Sequence, residues 1–171
     1  MKIVSFVAAA SNSGKTTLIE KVVRILKARG LRVAVVKHAS KGFDLDRPGK
    51  DSWRFRQAGA DAVVLVGPDR MAIDRSISGI PAPPDIERFL PEVDIVIQEG
   101  FKKNAPNKIE VFRDGVSGIR PLCMEDDTFI ALVSDALFDV AIPRFHIDDV
   151  EGVADFIIQY MERSTYRVNA V

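Results

Sequence analysis

Between an apolar run, Ile3–Ala8, and an amphipathic stretch that opens at Thr16 stands Ala9-Ala10-Ser11-Asn12-Ser13-Gly14-Lys15-Thr16-Thr17. No other segment constrains the fold as much. A short β-branched run, a small-residue turn and a helix with Lys and Thr at its start form the strand–loop–helix in which backbone N–H groups curl around phosphate oxygens. The pattern is Walker A, G-x-x-x-x-G-K-[ST], with Ala9 in place of the first glycine. Alanine suits that position at negative φ. Gly14 permits close backbone approach, Lys15 brings charge to the β- and γ-phosphates, and the Thr16 hydroxyl is a magnesium ligand. Ser11, Asn12, Ser13, Gly14, Lys15, Thr16 and Thr17 are thus the expected nucleotide-binding residues.

From Thr16 onward Leu18, Ile19, Val22, Val23 and Leu26 make one helical stripe, with Gly30 placed for a left-handed C-terminal cap. Leu31–Val36 reads as the next strand, completing a βαβ unit. Residues 39–50 have no period and predict a loop. Helix is expected over Asp51–Ala58, closed by Gly59, then strand over Ala62–Val66 with Arg70–Arg75 as a hairpin partner. Pro81-Ala82-Pro83-Pro84 reads as a connector before a short helix, Asp85–Leu90. Strands follow at Val93–Gln98, Lys108–Arg113, Phe129–Val133 (central) and Arg144–Ile147 (edge). A last helix is capped by Asp148 or Asp149 and turns Val153, Phe156, Ile157 and Tyr160 inward. The expected architecture is α/β, a P-loop NTPase fold with a mostly parallel sheet flanked by helices on both faces. One domain is expected over residues 1–163, with a frayed tail at 164–171.

An acidic group belongs at the C-terminal end of another parallel strand, where ligands collect in open α/β sheets. Glu99, at the end of Val93–Gln98 and followed by Gly100, is that candidate: a magnesium ligand with Thr16 and, with Lys15, a catalytic residue. Asp94 reads as structural. Gly49-Lys50-Asp51-Ser52 is a decoy, since an acid follows the lysine where a hydroxyl is required. Lys37-His38 with Asp44, Asp46 and Asp51 is a weaker magnesium or partner constellation, against a plain solvated loop. Asn107-Lys108-Ile109-Glu110 imitates the guanine signature N-K-x-D but alternates like a strand, so it reads as coincidence. His146 and the single cysteine, Cys123, read as structural.

The 24 basic and 24 acidic residues cancel overall, yet residues 1–60 hold 13 basic against 4 acidic. Such a bias suits an anionic ligand gripped by the N-terminal third. No basic-aromatic module points to nucleic acid, and no apolar run reaches the ~18 residues of a membrane span. Met1-Lys2 before Ile3–Ala10 imitates a signal peptide, but the phosphate loop accounts for it better, which places the chain in the cytoplasm.

Taken in order, several motifs resemble one family. They are Ala9–Thr17, Lys37-His38, Phe43-Asp44-Leu45-Asp46-Arg47-Pro48-Gly49-Lys50-Asp51-Ser52, Ala58-Gly59-Ala60, Arg70-Met71-Ala72, Glu99-Gly100-Phe101-Lys102, Lys108-Ile109, Phe112-Arg113-Asp114-Gly115 and Asp149–Phe156. The chain is similar over nearly its whole length to the molybdopterin-guanine dinucleotide biosynthesis protein B family, GTP-binding adapters of molybdenum cofactor assembly. The resemblance implies GTP and Mg²⁺ as ligands, slow GTP hydrolysis at most, a homodimer, and partnership with the guanylyltransferase that joins GMP to molybdopterin. It implies phosphate and metal contacts at Ser11–Thr17, the acidic role at Glu99, and a loop 44–52 facing nucleotide or partner. The competing reading is a stand-alone NTPase or small-metabolite phosphotransferase, which one mobile loop and little spare length disfavour. Base preference is not legible in any motif.

Overall fold

The structure, a computed structural model, describes residues 2–79, 81, 85, 86, 88–103 and 105–166. Two compact units divide the chain: Met1–His38 with Pro91–Val171, and Ala39–Leu90.

The first unit is built on six strands: β1 (Lys2–Val7), β2 (Val33–Lys37), β5 (Ile95–Glu99), β6 (Lys108–Phe112), β7 (Phe129–Ser134) and β8 (Arg144–His146). Their order is β2-β5-β1-β6-β7-β8, and every pairing is parallel. β5 and β6 are buried at every position, as expected of strands covered on both faces. Sequence reading joined β1 and β2 as one βαβ unit; in the fold β5 lies between them. β7, read as central, is interior but second from the edge.

The long helices are α1 (Lys15–Ala28) and α3 (Val150–Tyr166). At the end of α1 Arg29 is the cap residue, Gly30 N–H reaches Lys27 O at 3.0 Å and Leu31 N–H reaches Leu26 O at 3.1 Å, with Gly30 at φ 83°. That pair of bonds is the Schellman motif, and its left-handed residue favours glycine. At the start of α3 the Asp149 carboxylate accepts Gly152 N–H at 3.0 Å. A Cβ on Gly152 would fall 2.3 Å from that carboxylate, so the cap depends on glycine there. The helix continues through Ser164–Tyr166, which were read as tail; residues 167–171 lie outside those described. The expected Asp85–Leu90 helix and its proline connector also fall partly outside them.

The two long helices of this unit lie together. Leu18, Ile19, Val22 and Leu26 of α1 and Val153, Ala154, Ile157 and Met161 of α3 share one core with Val4, Phe6, Ile95, Ile97, Ile109, Val111, Ala131 and Val133. Both helices therefore cover the same face, not one face each. The other face carries a smaller cluster of Val7, Ala105 and Phe129, packed by Phe101, Leu122, Cys123 and Ile142. Its cover is irregular chain with one 3₁₀ turn, Leu122–Met124. Polar groups fasten this cover. Glu110, fully buried, accepts Leu122 N–H at 2.9 Å and Cys123 N–H at 2.8 Å, and Lys108 donates to Asp126 at 2.9 Å. Burial first, and then Glu110, push the Cys123 thiol up to about 12, so it stays protonated at neutral pH.

These contacts also dispose of the guanine-signature imitation. Asn107 (φ 48°) donates to Ile3 O and accepts from Tyr160 OH, while Lys108 and Glu110 hold the cover. Asp94 accepts three bonds from Arg32, from Nη2 at 2.9 Å, Nε at 3.2 Å and the backbone N–H at 2.7 Å, which lower its pKa to about 2.

The second unit holds α2 (Asp51–Gln57) and an antiparallel hairpin of β3 (Ala62–Val66) and β4 (Met71–Arg75). Gly59 closes α2 as predicted, at φ 95°. No α2 residue is buried, and Val64, Leu65, Val66, Met71 and Ile73 are all exposed. Arg56 pairs with Asp74, and Arg75 lies over the Phe89 ring.

Candidate functional site

The Ser11–Thr17 loop turns on two left-handed residues, Asn12 (φ 62°) and Gly14 (φ 83°). They deliver the chain into α1, whose first residue is Lys15 and whose first turn closes by Leu18 N–H to Gly14 O at 2.9 Å. The helix N-terminus leaves amide donors without intrahelical acceptors, and its dipole favours an anion. Ser13 Oγ adds a sharper sign: among the described residues it is the buried side-chain polar atom without a hydrogen-bond partner. Such a group costs free energy until something pairs with it, and phosphate oxygen at this loop is an acceptor of the right kind.

Glu99 stands where sequence reading put it, at the C-terminal end of β5, next to β1. Its Oε1 accepts the Thr16 hydroxyl at 2.8 Å and lies 3.9 Å from Lys15 Nζ. Its Oε2 lies 3.6 Å from Lys37 Nζ at the end of β2. Lys102 Nζ donates to Ala9 O at 2.7 Å, tying the segment after β5 to the first residue of the loop. Burial is the main cause holding the Lys15 ammonium below its ordinary 10.5; Glu99 opposes this, while Lys102 and Lys37 add to it. Lys15 is thus a shielded cation short of counter-charge.

A hydroxyl and a carboxylate at 2.8 Å are the hard oxygen donors that suit Mg²⁺ beside phosphate. Among the described residues no three His, Cys, Asp or Glu side chains gather as a metal cage. Thr16 and Glu99 therefore fit magnesium held jointly by protein, phosphate and water.

Around the loop is a pocket of about 430 Å³ lined by Asn12–Leu18 with Lys21, Arg113, Ile147 and Asp148. Ser11 is exposed and does not line it. Of the weaker constellation, Lys37 and His38 belong to the first unit and Asp44, Asp46 and Asp51 to the second. Lys37 faces Glu99, the His38 ring lies 5.0 Å from Phe101, and Asp46 accepts its neighbour's N–H, Arg47, within the other unit. His146 makes local turn contacts. Sequence reasoning quoted Lys102 and Arg113 within the family motifs without a site role, read Ile147 as the end of an edge strand, and offered Asp148 only as a helix cap. All four lie within three residues of the C-terminal end of a parallel strand, so the rule that singled out Glu99 reaches them too.

The sequence model for molybdopterin guanine dinucleotide synthesis protein B matches residues 3–135. The chain is 37% identical over 164 residues to the molybdopterin-guanine dinucleotide biosynthesis adapter protein of Escherichia coli (strain K12), covering 91% of each. Identity to the Haemophilus influenzae adapter protein is 33% over 156 residues, 88% of this chain and 85% of that one. Among solved structures, a molybdopterin-guanine biosynthesis protein B (mobB) superposes with TM-score 0.70 at 33% identity, covering 92% of this chain and 99% of that chain. Bacillus subtilis MobB gives 0.71 at 27% identity, over 93% and 97%. The chain belongs to the molybdopterin guanine dinucleotide synthesis protein B family.

Proposed function

We propose that the chain is a GTP-binding adapter of molybdenum cofactor biosynthesis, assisting the guanylyltransferase that attaches GMP to molybdopterin. The observation that carries the nucleotide part is the loop itself, with the unpaired Ser13 Oγ and the shielded Lys15 ammonium converging where a polyphosphate belongs. The adapter part is supported by the names of the relatives. Loop amides and Lys15 bind and orient the phosphates, while Thr16 and Glu99 hold magnesium. Bound there, Mg²⁺ draws charge off the phosphate oxygens. Hydrolysis is slow at most, and the place of work is the cytoplasm; no helix of the described residues is long and apolar enough to cross a membrane.

A homodimer is part of the same proposal. An isolated hairpin is marginal in water, and one exposing Val64, Leu65, Val66, Met71 and Ile73 has apolar surface of the kind that marks an interaction site.

The deciding experiment reconstitutes dinucleotide cofactor synthesis with each protein omitted in turn at limiting GTP. This chain should raise the yield given by the transferase and form no product alone. Charge reversal at Asp46 and Lys50, in the polar loop of the second unit, should reduce the stimulation more than it reduces GTP binding. Product from this chain alone, or no stimulation, would favour the stand-alone enzyme. Light scattering on the same samples gives the mass, and a single-chain mass rules out the dimer.

Glu99→Gln keeps the shape and removes the charge. It should weaken Mg²⁺-dependent binding and lower any GTPase rate several-fold, with less effect on nucleotide binding without metal. Titration of GTP with and without Mg²⁺ checks this; identical magnesium dependence in the variant would relegate Glu99 to a turn residue.

A further inference from the structure

The pocket at the Asn12–Leu18 loop has a second wall besides the loop itself. That wall is Lys21, in the second turn of α1, Arg113 after β6, and Ile147 and Asp148 after β8. At about 430 Å³ it falls in the roughly 300–1,000 Å³ range of small-molecule sites. Arg113 and Ile147 stand directly against the loop: Ile147 Cδ1 lies 3.6 Å, and an Arg113 Nη 3.8 Å, from where a Gly14 Cβ would be. Arg113 is set in place from two sides. Its N–H donates to Ser117 Oγ at 2.9 Å, and its Nε lies 3.9 Å from the Asp135 carboxylate, which Asp114 N–H holds at 2.8 Å.

Two aspartates follow β8 in succession, with different employment. Asp149 is spent on the α3 cap. Asp148 rides on a turn fixed by its backbone, since Asp149 N–H reaches His146 O and Val150 N–H reaches Asp148 O, both at 2.9 Å. Among the described residues no hydrogen bond holds its carboxylate, which lies 3.5 Å from His146 Nδ1 and is 79% exposed. A rigid backbone carrying an uncommitted carboxylate on the wall of a phosphate-binding pocket is a reader of something beyond phosphate, which it would repel.

Resting on the nucleotide reading above, we propose that Asp148 selects the base: a purine seated against Arg113 and Ile147 turns its Watson–Crick edge to this carboxylate, which accepts the guanine N1–H and N2–H. An ionised carboxylate only accepts hydrogen bonds. Guanine offers it two adjacent donors, whereas adenine sets the N1 lone pair against an oxygen. The discrimination comes from the edge itself: two donors pair with the carboxylate in guanine, and a lone pair is repelled by it in adenine.

The test titrates wild type and Asp148→Asn by calorimetry, with Mg²⁺, against GDP, ADP and xanthosine diphosphate. Wild type should prefer GDP over ADP by about tenfold or more. Asp148→Asn should lose most of that preference and gain xanthosine diphosphate binding. Xanthine keeps N1–H but carries a carbonyl in place of the amino group, which complements the amide's oxygen and N–H. The exposed position predicts an unchanged melting temperature for the variant. If the order of the three nucleotides is the same in the folded variant, or if wild type binds GDP and ADP equally, Asp148 is not the reader and the phosphate site stands alone. Wild type that binds none of the three overturns the nucleotide reading, and this proposal with it.

Discussion

Lys15→Ala is expected to lower GTP affinity by roughly 10–150-fold while the fold survives, corresponding to loss of a charge-assisted bond of about 1.5–3 kcal/mol. The ammonium lies at the mouth of α1, 18% exposed, with Glu99 at 3.9 Å as its nearest counter-charge. Burial holds it below 10.5, and Lys102 and Lys37 press in the same direction. Phosphate supplies the charge that Glu99 supplies only partly, so binding raises the Lys15 pKa and takes up protons as pH climbs toward the depressed value. Wild-type affinity should therefore fall with rising alkalinity, and the alanine variant should lose that part of the dependence. In the empty protein the sign for folding is unfavourable: below the depressed value both states hold the proton and the cost is full, and it is relieved as pH rises toward 10.5. Calorimetry across pH measures the binding terms. Wild-type affinity in a folded Lys15→Ala protein refutes the phosphate assignment.

Glu110→Ala should cost about 3 kcal/mol or more of stability, because the amides of Leu122 and Cys123 lose their shared acceptor and each unsatisfied buried donor costs about 1–3 kcal/mol. Relief of burying a carboxylate offsets some of this. Glu110→Gln keeps one acceptor oxygen but turns an NH₂ group toward the second amide, so an intermediate loss is expected. The cover over the second face of the sheet depends on this one side chain, together with Lys108–Asp126 and a small apolar cluster. Urea unfolding followed by circular dichroism reads the difference. A midpoint equal to wild type for Glu110→Ala would mean that water replaces the carboxylate without loss.

Much of this was legible because the signals are local. Gly30, Gly59 and Asp149 mark helix ends by backbone geometry, and the strand runs are apolar enough to demand a sheet. Ser13–Thr16 carry their chemistry in consecutive residues, and Glu99 needed only the rule that ligands gather at strand ends. What stayed hidden is non-local. Glu110 looked like the faulty last letter of a guanine motif, since nothing nearby announces two amides twelve and thirteen residues ahead. The one-sided placement of the helices was invisible because the cover of the other face, around Leu122–Met124, has no period. The second wall of the pocket draws Arg113 from one strand end and Ile147 and Asp148 from another. Neither contribution forms a motif by itself. At the borders of the second unit the loop from Ala39 and the prolines at 81–84 read as connectors within one domain, not as a boundary.

The position of β5 between β1 and β2 has a consequence for the newborn chain. Neither N-terminal strand touches the other in the finished sheet, and β1 waits for β5 and β6, β2 for β5 alone. The stretch from Lys37 to Ile95 takes about 3–12 s to emerge at roughly 5–20 residues per second. Throughout that interval two β-branched segments and the α1 stripe exist without their keystone. The loop between β1 and α1 is thus encoded first and completed late, once β5 has come between the two strands.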